Sequence, residues 1–248
     1  MGGARDGTAN LHIGNARVTR TTNARVAGVT FLFYIAVGIT SLVLFGRATT
    51  GVGIAAKLAS IAQHATEVRL VVLLNLLASL SALVLGVTLY AITRDEDRDL
   101  AMLALLCRVA EGLSSFAGIS TMLGVLWLAT AIGPNAPGIE ATQALGAFFL
   151  RGSGGVGAIF FALGSTLFAG LLLRGRMIPA ALAWLGFLAS ALLVVILPLQ
   201  LAGLFGGTVG WFNLVTWLVW LPMLLFEVAF ALWLIVKGVA TPIGRQLA

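Results

Sequence analysis

The sequence predicts an all-α fold, a polytopic transmembrane six-helix bundle with short interfacial helices in the non-cytoplasmic loops. Three observations carry this. The 248 residues are 60% hydrophobic and only 10% charged, with a mean hydropathy of +1.05, where an average soluble domain has about 25% charged residues. The apolar residues gather into six runs of spanning length, about 20 residues being what a helix needs to cross about 30 Å of hydrocarbon. Between the runs lie short segments rich in charge, glycine or proline, which leave no room for a separate folded domain. The 30 glycines fit the same picture, since small residues let membrane helices approach closely.

Other classes are excluded on composition. A net charge of +6 and a pI near 10.7 would suit nucleic acid in a soluble chain. Here no basic stripe carries interleaved aromatics, and Lys/Arg enrichment in membrane-flanking loops accounts for the excess, so no nucleic-acid partner is expected. One cysteine, Cys107, rules out an intrachain disulfide and a multi-cysteine metal site. His12 and His64 are too few and too far apart for a metal pair, so no metal is expected and no cofactor is assigned.

Residues 1–24 are polar and basic, with Arg5, Arg17 and Arg20, and read as a largely disordered cytoplasmic tail. Val26 to Gly46 is the first apolar run. It ends without a small-x-small cleavage pattern, so it is an anchor and first span, not a removed signal peptide. Tyr34, Gly38 and Ser41 recur at helical spacing and give it one polar, small-residue face. Between Thr49 and Arg69, Ile54, Leu58, Ile61, Ala65 and Val68 share one side of a helix, which predicts a short element over 54–68 lying at the interface or capping the bundle. The second span is Leu70 to Ile92, with Asn75, Ser79, Ala82, Gly86 and Tyr90 on one face.

Thr93 to Asp99 is a tight charged turn. Asp97 and Asp99 are placed to start the third helix, where negative charge favours the exposed N–H groups. That helix, Leu100 to Ile132, stops at the breaker cluster Gly133-Pro134-Asn135-Ala136-Pro137-Gly138. Glu140 to Arg151 is a second short helix, followed by Gly152-Ser153-Gly154-Gly155. The fourth span is Val156 to Leu173. The fifth, Pro179 to Leu201, opens with a proline in its first turn, where a missing N–H costs nothing, and Pro198 kinks or finishes it. Trp211 to Val236 is the sixth, anchored by Trp211 at one interface and Lys237 at the other, with Pro222 in its middle.

Six spans return the chain to the side it started from. Arg5, Arg17, Arg20, Arg25, Arg94, Arg98, Arg174, Arg176, Lys237 and Arg245 then lie with the termini, against Arg47, Lys57, Arg69 and Arg151 on the other side. The bias puts both termini in the cytoplasm. Residues 25–240 form one membrane domain, and 241–248 a second short tail.

The topology also sorts the unusual residues by depth. Tyr34, Ser165 with Thr166, Arg108 with Glu111, and Glu227 all lie roughly 12–16 Å inside the membrane at 1.5 Å of rise per residue. Ionisable groups at that depth mark a site or a specific internal pair. Arg108 and Glu111 are spaced i,i+3 and can touch; Arg108 is expected to reach Glu227 as well, across a contact between the third and sixth helices, with Tyr34 nearby. Two carboxylates and one guanidinium leave an odd charge, so either one glutamate carries a proton or another cation or donor balances it. The inward faces are Glu111, Ser114, Gly118, Thr121 and Val125 on the third helix, and Asn213, Thr216, Trp220, Met223 and Glu227 on the sixth. Asn75, Ser165, Thr166, Asn213 and Trp220 are secondary candidates. Only Trp217 and Trp220 are placed to stack on a ligand, while Phe148-Phe149 and Phe160-Phe161 read as packing or membrane contact.

Several of these segments resemble a family of bacterial six-helix integral membrane proteins known only as a domain of unknown function. The resemblance runs from about Arg25 to Val239. It rests on Arg25-Val26-Ala27-Gly28 with Tyr34, on Cys107-Arg108-Val109-Ala110-Glu111 (with Cys107 where an aromatic is more usual), and on Leu163-Gly164 through Ile178-Pro179 to Trp184-Leu185-Gly186. Its most specific part is Glu227 with Ala231-Leu232-Trp233-Leu234-Ile235-Val236-Lys237-Gly238. The resemblance implies the six-span architecture, the bacterial cytoplasmic (inner) membrane and the marked residues, but no reaction.

Three classes of function stay open. A protein that binds or translocates a small molecule or ion would use the Arg108, Glu111, Glu227 and Tyr34 layer. A structural or accessory subunit would use the same charges as interhelical glue. A membrane-embedded enzyme acting on a lipid-like substrate would have only Glu111, Glu227 and Tyr34 for chemistry. The lipid bilayer is the one partner common to all three; a lipid or small-molecule ligand and an oligomer are compatible with the pattern.

Overall fold

A computed structural model of the chain describes the backbone of residues 4–150, 155–204 and 214–241, and their side chains apart from 4–19 and 214–217. Eight helices and no strand are present among the described residues: α1 (Ala4–Ala48), α2 (Ile54–Gln63), α3 (Ala65–Thr93), α4 (Arg98–Thr130), α5 (Ile139–Leu150), α6 (Val156–Arg174), α7 (Ala180–Leu201) and α8 (Leu214–Val236). Six of them, all but α2 and α5, are long and apolar enough to cross a membrane.

The six long helices form a closed ring in chain order. Each packs on the next, α1 on α3, α3 on α4, α4 on α6, α6 on α7 and α7 on α8, and α8 returns to α1; α3 also touches α6. Glycine makes the closing seams tight. A Cβ on Gly28 would stand 2.6 Å from the Ala231 carbonyl oxygen, and one on Gly186 would run into the Phe226 ring. Only glycine allows α1 and α7 to come that near α8. Inside the ring lies a core that includes Phe31, Leu85, Leu89, Phe168, Leu193, Met223 and Phe230, while the outward faces carry exposed Val29, Leu73, Leu106, Leu188 and Leu225. That inside-out hydrophobicity is what lipid requires.

Start and stop signals act where the sequence puts them. Asp97 caps α4, its Oδ1 accepting from the Leu100 N–H at 3.1 Å. Pro179 precedes α7 at its N-cap, and Pro198 lies three residues before the Leu201 end. The element expected over 54–68 is shorter. It stops at Gln63 because His64 turns the chain, with its ring Nδ1 2.9 Å from the Ser60 carbonyl oxygen, and Val68 belongs to α3.

One further expectation is corrected. The basic N-terminal segment is helical backbone continuous with the first span, since α1 begins at Ala4 and no proline interrupts it. Its Arg20 is part of the folded end of the bundle: Nη2 donates to the Ile92 carbonyl at 2.7 Å and Nη1 stands 3.5 Å from Asp95 Oδ2. At the same end Arg174 faces Asp97 at 3.5 Å, and the Ala240 N–H donates to the Met177 carbonyl at 2.9 Å. These contacts tie α1, the α3–α4 turn, the α6–α7 turn and the chain following α8 together.

The opposite end is covered by α2 and α5. Leu58, Ile61, Val68, Val125 and Leu126 make a second, smaller core there, with Phe149 and Leu150 packed on it. Gly146 of α5 brings that helix against α2, its Cβ position lying 3.0 Å from Leu58 Cδ1.

Candidate functional site

About a third of the way along α4, Arg108 and Glu111 project into the ring. Arg108 is 1% exposed and Glu111 4%. A guanidinium stem so long fits there because both flanking helices present glycine to it. The Cβ position of Gly86 on α3 is 3.0 Å from Arg108 Cβ, and that of Gly164 on α6 is 3.3 Å from Arg108 Cδ. Any larger residue at either point would push α4 outward or bend the stem.

The guanidinium is held by one carboxylate and two rings. Arg108 Nη1 lies 2.9 Å from Glu111 Oε2, close in distance but not aligned as a hydrogen bond. Its Cζ is 5.2 Å from the Phe161 ring centre and 5.8 Å from the Tyr34 ring centre, within cation–π range. Tyr34 from α1 donates its hydroxyl to Glu111 Oε1 at 2.9 Å. Glu111 therefore has one oxygen on a phenol and the other on the arginine. Phe161 in turn stacks on Trp220 of α8, centroids 5.9 Å apart at 26°.

The arrangement is incomplete in three places, the first being Glu111 Oε2, which has no hydrogen-bond partner despite its 2.9 Å approach to Arg108 Nη1. Nε and Nη2 of Arg108 are buried with no hydrogen-bond partner, and so is Oε1 of Glu227, whose residue is 6% exposed. Buried polar groups in folded proteins are paired as a rule, because each unpaired group costs about 1–3 kcal/mol or more when charged. No Arg108–Glu227 N···O contact of 4.0 Å or less is present among the described residues, and the contact expected between the third and sixth spans is not there, since α4 and α8 do not pack on each other. The ring places α8 beside α1 and α7, so the third and sixth spans meet only through side chains reaching across the interior. On the α1–α8 seam, Phe31 packs edge-on to Phe230 at 5.7 Å. One turn further along each antiparallel helix, Tyr34 comes level with Glu227.

Beside Arg108 is a cavity of about 10 Å³, room for about one water molecule. Arg108 and Ser165 are its only polar lining residues; Phe31, Phe168, Met223 and Phe230 are among the apolar ones. Of the secondary candidates, Ser165 and Trp220 thus stand at the Arg108 cluster. Thr166 turns its hydroxyl back to the Ala162 carbonyl at 2.8 Å. Asn75 lies elsewhere, on the α3–α4 seam, donating to the Val71 carbonyl at 3.0 Å and approaching Met122 Sδ at 3.4 Å. Asn213 lies outside the described residues, as does the Trp217 side chain. Among the described residues no group of three or more His, Cys, Asp or Glu is placed to hold a metal ion.

Sequence reasoning missed three residues. Phe161 packs in the core as one of the two expected readings had it, and its ring also faces the Arg108 guanidinium inside the ring of helices, which the sequence did not indicate. Gly86 and Gly164 admit the arginine stem. Gly86 shared the polar face of the second span, and Gly164 falls one turn from Phe161, signals that have meaning only once α3 and α6 are known to flank α4.

No curated protein and no solved structure matches the chain. A family model described as a domain of unknown function, DUF4386, matches residues 26–238, a stretch that holds all six spans except the first turns of α1. The chain belongs to the DUF4386 family.

Proposed function

We propose that this membrane protein binds a small molecule or ion at the layer formed by Arg108, Glu111, Glu227 and Tyr34, and translocates or senses it there. The observation that carries the reading is Arg108, 1% exposed with two of its three nitrogens unpartnered. A purely structural arginine gains most from saturating its donors, because low dielectric makes each missing contact expensive. An arginine left open at the centre of a ring of spans is better suited to receive something. Glu227, with one free oxygen in the same layer, supplies a second exchangeable contact.

The competing reading is an accessory or structural protein in which the Arg108–Glu111–Tyr34 cluster fixes helix packing. The small size of the cavity favours it. Native mass spectrometry of the purified protein separates the two. A specific mass carried by the wild type and lost in both Glu227→Gln and Arg108→Ala supports the site. Ordinary bulk lipids in all three, with the variants only less stable, overturns it.

We further propose the bacterial cytoplasmic membrane as location, with both termini in the cytoplasm, on the strength of the Lys/Arg bias. A reporter that works only in the cytoplasm, fused after Ala248, should be active. An inactive reporter with the fusion stably made would reverse the orientation.

A further inference from the structure

The unpartnered edge of Arg108 has a definite shape. Nε–H and one Nη2–H point in parallel from one side of a planar guanidinium, a fork that matches the two oxygens of a carboxylate. The guanidinium plane is fixed by the Tyr34 and Phe161 rings and by Glu111 on Nη1, so the fork is preorganised. Arg108 is the only cation lining the adjacent cavity, and Nε and Nη2 are its only buried nitrogens without a partner. Ser165 offers one further donor, and everything else on the wall is apolar.

We infer that the site takes a small monocarboxylate, its carboxylate on the Arg108 fork and Ser165 and its short apolar tail among Phe31, Phe168, Met223 and Phe230. This rests on the reading of the layer as a ligand site and names the ligand class. Size and charge both limit the choice. The cavity has room for about one water, so only a tail of a few carbons fits, after movement of flexible side chains such as Met223. One guanidinium, already facing Glu111, is too little positive charge for a phosphate or sulfate dianion in so dry a place. A halide would leave the second N–H of the fork poorly matched and the apolar wall unused.

Charge balance adds a proton. With Arg108 and Glu111 neutralising each other and Glu227 ionised, the layer carries one negative charge, and the incoming carboxylate would raise it to two unless a proton enters with it. The other ionisable groups of the layer are Arg108 and Glu111 on α4 and Tyr34 on α1, the helix packed against α8. The Tyr34 hydroxyl is committed to Glu111, and Glu227 keeps an unpartnered oxygen, so Glu227 carries the proton. No bond is made or broken apart from that O–H.

The test is isothermal titration of the full-length protein in detergent with sodium propionate, with sodium chloride as the comparison anion. The wild type should give one saturable site that weakens as pH rises, by about tenfold per pH unit once one proton must be taken up with the anion. Arg108→Lys keeps the charge and loses the fork, and should weaken binding at least tenfold. Ser165→Ala, a small change that keeps the fold, should weaken it a few-fold. Glu227→Gln should flatten the pH profile, because the amide stands in for the protonated carboxyl. Absence of saturable propionate binding, equal binding of chloride, or affinity unchanged in both Arg108→Lys and Ser165→Ala would overturn the inference. If propionate does not bind while native mass spectrometry still finds a mass lost in Arg108→Ala, the carboxylate class is wrong and the site stands. If neither is seen, both fail.

Discussion

Replacing Arg108 by methionine removes the only buried cation among the described residues and leaves Glu111, 4% exposed, without its ion-pair partner. Breaking a buried ion pair from one side costs about 3–5 kcal/mol, because the remaining charge is stranded in low dielectric. Tyr34 still donates to Glu111 Oε1, which softens the loss toward the lower figure, about 3 kcal/mol. Glu111→Met should cost a similar amount, since it strands Arg108 with only its two aromatic neighbours. Removing both charges together puts two flexible apolar side chains into the same volume, which is often neutral relative to the pair. The double variant should therefore be more stable than either single one, with a coupling of at least about 2 kcal/mol. Cys107 provides the assay. It is the only cysteine and is buried, so reaction with a fluorogenic thiol reagent during heating reports unfolding without an added label. Losses in the two single variants that simply add in the double would refute the pairing of these two charges.

Tyr34→Phe removes the phenol on Glu111 Oε1, a hydrogen bond to a charged group, and should cost about 1.5–3 kcal/mol in the same thermal assay. Gly164→Leu puts a side chain where Cys107 Cβ is 3.2 Å and Arg108 Cδ 3.3 Å away; a loss of about 1–3 kcal/mol and disappearance of the Arg108–Glu111 coupling are expected in a double-mutant cycle. Phe161→Leu removes the ring under the guanidinium; stability should fall by about 0.5–2 kcal/mol, and the fall should be smaller in the Arg108→Met background, where only the Trp220 stacking is lost.

How much of this could be read from the sequence follows from the range of the forces involved. Span positions and the α4 cap are local properties of hydropathy and of one side chain on a nearby N–H, so Asp97 and the ends of α3, α4, α6 and α7 fall within a few residues of expectation. The Arg108–Glu111 contact is also local, fixed by an i,i+3 spacing. Depth arithmetic brought Tyr34 to the same level from a different helix, and it bonds Glu111 there. Helix order around the ring is not local. Depth alone cannot say which helices are neighbours, and so a contact between the third and sixth spans was expected where α4 and α8 do not pack. Nor can a single sequence show that Phe161 turns inward, because an apolar ring suits lipid and a buried cation equally. Arg20 was read as tail for a similar reason: its partners, the Ile92 carbonyl and Asp95, are more than 70 positions away.

Ligand binding at the open edge of Arg108 can be observed atom by atom. Solid-state nuclear magnetic resonance on the full-length protein in lipid, with ¹⁵N-arginine and carboxyl-¹³C propionate, reads that edge directly. A carboxylate held by charge-assisted bonds of about 2.7–2.9 Å puts its carbon within about 4 Å of the bonded nitrogens. The account predicts a ¹³C–¹⁵N dipolar contact to one arginine side chain at saturating propionate, lost in Arg108→Lys while the contacts of surface arginines, if any, remain. No such contact in the folded wild type, or one that persists in Arg108→Lys, would contradict it.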